Sequence, residues 1–225
     1  MDVNSYIDYT LLKATATERD IINLCEEAKE YKFHGVCINS SFVLLGKQLL
    51  EGTPVKISST VGFPLGTMST EAKVFEAKKA IEDGADEIDL VMNIGFLKSR
   101  NYFRILKDIS DVKAAIGKTP LKVILEISEL SKNEIVRACE ICLDAKADFV
   151  KTSTGFSKGG ATLTAVKIIK KTVRDMIKIA ASGNISDYGT VAKYIDVGVD
   201  RINFTSEINN SKVKIPNELV MLTSE

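Results

Sequence analysis

At 225 residues the chain is long enough for one large domain or two small ones, and an apolar content of 45% supplies a sizeable core. Thirty basic and thirty acidic side chains leave no formal net charge at pH 7, which argues against a general nucleic-acid or membrane-surface binder. No long apolar run occurs and the N-terminus lacks a charged-then-apolar leader, so a cytoplasmic location is expected.

Short apolar runs alternate with longer helical patterns along the chain. Strands are predicted at 6–10, 35–39, 55–61, 87–92, 121–126, 148–152, 177–181 and 201–204. Helices fill the intervals. Thr17-x-x-Asp20 reads as a helix start, and Ser131-x-x-Glu134 as a full capping box. The helix before Gly84 is expected to end there, because glycine accepts a left-handed backbone. Pro64 and Pro120 fall at loops or strand entries, where they break nothing.

The four cysteines are Cys25, Cys37, Cys139 and Cys142. Cys139-x-x-Cys142 resembles half a zinc or redox motif, but no second pair exists and His34 is the only histidine. After Ser131, the residues Ile135, Ala138, Cys139 and Cys142 share one helical face, so structural burial is expected for the pair. Neither a metal site nor a Ser-His-Asp triad has enough parts, and His34 is assigned a positional role.

Eight strands alternating with helices predict a closed parallel (β/α)8 barrel, with residues 1–225 as one domain. The runner-up is an open doubly wound sheet. No G-x-G-x-x-G follows a strand and no G-x-x-x-x-G-K-[ST] occurs, so nucleotide binding of either usual kind is unsupported.

Phe149-Val150-Lys151-Thr152-Ser153-Thr154-Gly155-Phe156 places a lysine at the end of an apolar run, with hydroxyls and a glycine directly after it. One reading is a lysine that caps a strand and points into water. The other is a buried amine, whose charge is disfavoured and whose neutral form attacks a carbonyl. The glycine and hydroxyls beside it suit an anion such as phosphate.

Strand alternation weighs between these readings. In 87–93 the apolar set is Ile88, Leu90 and Met92, which turns Glu87, Asp89, Val91 and Asn93 inward. In 121–126 Lys122, Ile124 and Glu126 oppose an apolar set. Lys151 faces inward in its strand, as do Lys178 and Ala180 in theirs. Charged groups from four consecutive strands thus converge on one interior, which favours the reactive amine. Lys122 and Glu126 are either part of that site or a structural ion pair. An amine, a carboxylate such as Asp89 and a second cation suit iminium formation with proton shuttling.

Several ordered segments together resemble the deoxyribose-phosphate aldolase family, over nearly the whole chain. They are Ile7-Asp8-Tyr9-Thr10-Leu11-Leu12-Lys13, Val36-Cys37-Ile38-Asn39, Val61-Gly62-Phe63-Pro64-Leu65-Gly66 and Gly84-Ala85-Asp86-Glu87-Ile88-Asp89. Lys122-Val123-Ile124-Leu125-Glu126, Lys151-Thr152-Ser153-Thr154-Gly155-Phe156 and Gly159-Gly160-Ala161-Thr162 complete the set. The resemblance implies a class I aldolase on a (β/α)8 barrel. It implies reversible cleavage of 2-deoxyribose 5-phosphate to acetaldehyde and glyceraldehyde 3-phosphate, without metal or cofactor. Lys151 would form the Schiff base and Asp89 would belong to the proton relay. Phosphate is expected at the loops after strands six to eight, which carry Gly155, Gly183, Thr205 and Ser206. A homodimer is also implied, with small sugar phosphates and aldehydes as the only partners.

The chain departs from the family pattern at several positions. The family's second active-site lysine precedes a small-small-Gly-Gly run, and Ala180 stands in its place in Ala180-Ala181-Ser182-Gly183-Asn184. Lys178 lies two residues earlier on the same face, about 6.6 Å deeper, and is the candidate replacement cation. The family's Arg-x-Gly-small-Ser stretch reads Arg201-Ile202-Asn203-Phe204-Thr205-Ser206, and Tyr9 replaces its usual histidine. Bulk at glycine positions opposes close approach of phosphate to the backbone. Two alternatives stay open: a Schiff-base aldolase of changed acceptor specificity, and a non-catalytic sugar-phosphate-binding homologue.

Overall fold

The computed structural model of the protein describes residues 3–183 and 185–205. Eight parallel strands close into a barrel in sequence order: β1 (Ile7–Leu11), β2 (Gly35–Ile38), β3 (Lys56–Val61), β4 (Glu87–Val91), β5 (Leu121–Ile124), β6 (Phe149–Lys151), β7 (Lys178–Ala181) and β8 (Arg201–Thr205). The helices among the described residues are α1 (Glu18–Glu30), α2 (Val43–Leu49), α3 (Thr70–Glu82), α4 (Ile94–Lys98), α5 (Tyr102–Ile116), α6 (Lys132–Asp144), α7 (Leu163–Val173) and α8 (Tyr188–Asp196). The closed barrel, rather than the open sheet, follows from the pairing of β8 with β1. Every predicted strand lies within a residue or two of an observed one.

Local chemistry sets the helix boundaries. Thr17 and Ser131 each close a capping box, with Asp20 and Glu134 respectively. Such a cap contributes about 1 kcal/mol by satisfying amides that the first turn leaves free. Helix α3 stops at Glu82, and Gly84 follows at φ 111°.

The outward strand residues form the apolar layer. Ile88, Leu90, Val123, Val150 and Ile179 are fully buried against the helices. Cys139 and Cys142 are free and buried on α6. Burial pushes the Cys139 thiol up to about 12 and the Cys142 thiol well above its usual value, so both pack as neutral groups.

Alternation also explains two family departures. The Tyr9 hydroxyl donates to Glu27 on α1 at 2.6 Å, outside the barrel interior. Phe204 packs its ring against Tyr9 and Tyr188. Both sit in the layer between strands and helices, so neither adds bulk to the interior. Asn203, one residue earlier, is the substitution that faces inward.

Candidate active site

Lys151 ends β6 and is 2% exposed. Its Nζ lies 2.6 Å from Asp89 Oδ2, on a carboxylate that is itself fully buried in β4. Lys122 on β5 holds the other Asp89 oxygen at 3.1 Å. The same ammonium meets Glu87 at 2.5 Å and Asp8 at 3.3 Å, and donates to Ser58 Oγ at 2.6 Å. Arg201 on β8 completes the set by holding Asp8 Oδ1 at 3.2 Å. Three cations thus face three carboxylates, which is the mutual neutralisation that burial demands.

The balance of charges decides the protonation states. Burial alone would raise the Asp89 carboxyl, but the Lys122 and Lys151 ammonium groups outweigh it and hold it below the usual carboxylate range. Glu87 is likewise lowered, against burial, by Lys122. Burial prevails at Asp8, whose carboxyl is raised despite Lys122 and Arg201. Lys122 is held well above an ordinary lysine, because Asp8, Asp89 and Glu87 together outweigh its desolvation. It is therefore a fixed positive charge, whereas Asp89 is an ionised acceptor in direct contact with an amine.

Cys37 adds a neutral group beside this pair. Its Sγ lies 3.5 Å from Asp89 Oδ2 and 4.0 Å from Lys151 Nζ. Burial pushes the thiol up to about 12.

Above Lys151, at the C-terminal ends of the strands, lies a cavity of about 100 Å³. Gly155, Gly183 and Thr205 all line it, together with Lys13 from the loop after β1. Beside the cavity, at Gly183, two loops meet backbone to backbone. A Cβ on Gly160 would come within 2.0 Å of the Gly183 carbonyl oxygen, so glycine is required there. Phe156 stands at the mouth and meets Phe63 edge-on at 5.2 Å.

Glu126 braces the loop that follows Lys151. It lies beyond the end of β5 with a left-handed φ of 57°. Its carboxylate accepts from the Thr154 amide at 3.2 Å and from the Thr154 hydroxyl. The expected alternative, an ion pair of Glu126 with Lys122, does not form. The strand stops at Ile124, the backbone reverses, and Glu126 turns to Thr154 instead.

The sequence-predicted residues thus separate. Lys151 and Asp89 are brought into contact, and Gly155, Gly183 and Thr205 line the cavity beside Lys151. Ser206 and Asn184 lie outside the described residues. Lys178 is not brought to this cluster. It opens β7 at the N-terminal mouth of the barrel, is exposed, and lays its ammonium over the Phe149 ring at 5.5 Å. The register pairs Phe149 with Lys178 and Lys151 with Ala180, so the two-residue offset spans most of these short strands. The second cation at Asp89 is Lys122.

Sequence reasoning assigned no role to Asp8, Lys13 or Arg201. Alternation in β1, with Ile7 and Tyr9 on the apolar face, is the signal that would have turned Asp8 inward. Asp8, His34 and Glu87 could each present one ligand atom to a metal ion, all within 4.8 Å of one another. Both carboxylates already hold Lys122 or Arg201, so a dication would compete with two buried cations.

Comparison with known proteins agrees with this geometry. Residues 3–198 match the family described as DeoC/LacD family aldolase. A deoxyribose-phosphate aldolase of Clostridium novyi (strain NT) is 51% identical over 209 residues, covering 92% of this chain and 94% of the relative. One from Finegoldia magna is 50% identical over 208 residues, covering 92% and 98%. The solved structure of the aldolase QR15 superposes with a TM-score of 0.92 at 37% identity, with both chains covered completely. A tetrameric deoxyribose phosphate aldolase from Aeropyrum pernix superposes at 0.81 and 30% identity, covering 89% of this chain and 86% of that one.

Proposed function

The chain belongs to the DeoC/LacD family of aldolases, and from that premise we propose that it cleaves 2-deoxy-D-ribose 5-phosphate reversibly to acetaldehyde and D-glyceraldehyde 3-phosphate through a Schiff base on Lys151. The observation that carries this reading is the buried 2.6 Å contact between the Lys151 amine and an ionised Asp89.

The roles follow from the contacts. Asp89 orients the Lys151 side chain, whose neutral amine adds to the sugar C1 carbonyl. Loss of water from the adduct gives an iminium. The iminium draws electrons from the C2–C3 bond as the C3 hydroxyl loses its proton. That bond breaks, the phosphorylated aldehyde departs, and an enamine remains on Lys151. Protonation at C2 and hydrolysis release acetaldehyde and restore the lysine. Asp89 relays protons at this centre. Lys122 keeps its own proton and acts as a fixed charge that holds Asp89 ionised and in place. The oriented ion set needs little reorganisation as charge moves.

The phosphate end belongs to the mouth of the cavity. Lys13 is the cation lining that mouth, with the Gly155 and Gly183 backbone and the Thr205 side chain nearby. We assign the substrate phosphate to this group, with Ser206 part of the same assignment from sequence alone.

Residues 1–225 acting as one barrel domain, a cytoplasmic setting and a homodimer belong to the same reading. Phe75 and Phe103 expose large apolar rings on the neighbouring helices α3 and α5, the kind of surface that a second copy covers. Sedimentation equilibrium at micromolar concentration tests the dimer; a monomer mass rejects it.

Buried Ala180, in place of the family's second lysine, favours a second reading, in which the same Schiff-base chemistry serves a different acceptor aldehyde. One experiment addresses both. Deoxyribose 5-phosphate and borohydride are added, and intact mass is measured with Lys151→Ala as control. A reduced adduct at Lys151 is expected. An adduct with acetaldehyde but none with the sugar phosphate would select the second reading, and no adduct with either would end both.

A further inference from the structure

Two polar atoms in the cavity above Lys151 have no partner among the described residues. Ser153 Oγ and Asn203 Oδ1 are both unpaired, on residues that are 0% and 2% exposed. Buried polar atoms are nearly always satisfied, so two orphans in one cavity point to a ligand that supplies the partner.

The hydrogen-bond chain behind Asn203 fixes which chemistry it presents. Thr10 Oγ1 donates its only proton to the Asp8 carbonyl oxygen at 2.9 Å. It can then only accept, and it does so from Asn203 Nδ2 at 3.0 Å. One amide N–H is therefore committed to Thr10, which fixes the orientation of the amide and leaves its oxygen as the unpartnered atom. That oxygen accepts and cannot donate. It suits a hydroxyl and repels an anionic phosphate oxygen. The Ser153 hydroxyl, on the strand-to-loop junction after Lys151, can donate to or accept from the same group.

We infer that Asn203 and Ser153 are specificity-determining residues that recognise a hydroxyl on the carbon next to the carbonyl of the acceptor aldehyde. This rests on the aldolase reading above. The acceptor carbonyl must sit against the enamine carbon held on Lys151, and its charged end at Lys13, so the intervening carbon falls between them.

The test compares two acceptors in acetaldehyde addition: D-glyceraldehyde 3-phosphate, and 3-phosphooxypropanal, which lacks only the hydroxyl. The wild type should prefer the first by about tenfold or more in kcat/KM. Asn203→Gly should lose most of that preference by weakening only the hydroxylated acceptor, and Ser153→Ala should do the same to a smaller degree. Asn203→Asp keeps an acceptor oxygen and should retain the preference, at lower overall rate. Borohydride trapping of acetaldehyde on Lys151, run on each variant, confirms an intact site. Equal loss on both acceptors, or no loss in Asn203→Gly with trapping intact, overturns the inference alone. Failure of the wild type to trap acetaldehyde overturns the aldolase reading and the inference with it.

Discussion

Lys151 and Asp89 stand 62 residues apart in the chain, yet their side chains meet at 2.6 Å in the barrel interior. In the proposed mechanism the contact places the relay carboxylate directly beside the amine that forms the Schiff base. Replacing Asp89 by asparagine keeps the shape and removes the acceptor. Asp89→Asn should lower kcat by about a hundredfold or more. Thermal unfolding should show that the barrel remains folded. Steady-state kinetics with deoxyribose 5-phosphate provide the check, and a loss of less than tenfold would remove Asp89 from the relay.

Lys122 neutralises three buried carboxylates at once. Without it, Asp8, Glu87 and Asp89 face one another with only Arg201 and Lys151 to balance them. Lys122→Met should cost about 3–5 kcal/mol of stability, since breaking a buried ion set leaves charge uncompensated. Urea unfolding measures this directly. A cost under about 1 kcal/mol, the size of an exposed pair, would contradict the geometry.

The same cluster sets the pH range of stability. Asp89 and Glu87 titrate below their usual 3.8 and 4.5 in the folded protein, so their contribution is complete above those values and is lost as the pH falls through the folded ones. Asp8 is raised and acts in the opposite sense, one group against two. Lys122 is raised, so its contribution is complete below 10.5 and is lost only as the pH climbs through its folded value. The midpoint of thermal unfolding should therefore fall as the pH drops below about 4.5 and hold through neutral pH. In Lys122→Met the acid dependence should be weaker, because the carboxylates lose the partner that lowers them.

Lys178 lies at the opposite end of the barrel from the cavity. Lys178→Met should leave kcat/KM within about twofold of wild type, the range expected of a residue that does not touch the reacting groups. A tenfold loss would mean that this lysine reaches the site in solution.

Lys13 should act only on the charged end of the substrate. Lys13→Ala should raise KM for deoxyribose 5-phosphate by about tenfold, the usual worth of one charged hydrogen bond at a partly exposed site. It should leave unphosphorylated deoxyribose unchanged. Added salt should weaken the wild type toward the variant. An equal effect on both sugars would assign Lys13 a structural role.

Period-two alternation in short strands was enough to turn Glu87, Asp89, Lys122 and Lys151 inward, because a strand has only two faces and the helices claim the apolar one. Applied to the observed strand bounds, the same rule puts Tyr9 and Phe204 on the helix side, so Phe204 is not the bulk near phosphate that the motif comparison suggested. It was not enough for Lys178, which faces the right way but at the wrong end. Height along the barrel axis depends on how each strand is staggered against its neighbours, and β7 pairs so that Lys178 sits level with Phe149 at the N-terminal mouth. Nor could alternation foresee that β5 ends at Ile124, which sends Glu126 to Thr154 and leaves Lys122 for Asp8, Glu87 and Asp89. The fold and the inward placement of Lys151 and Asp89 were thus legible in local pattern and motif. Which cation serves that carboxylate, and which amide atom faces the cavity, were decided by ring closure. Only closure brings Asp8 on the first strand beside Arg201 on the last and Lys122 across the interior, where side-chain reach and charge balance select the partners.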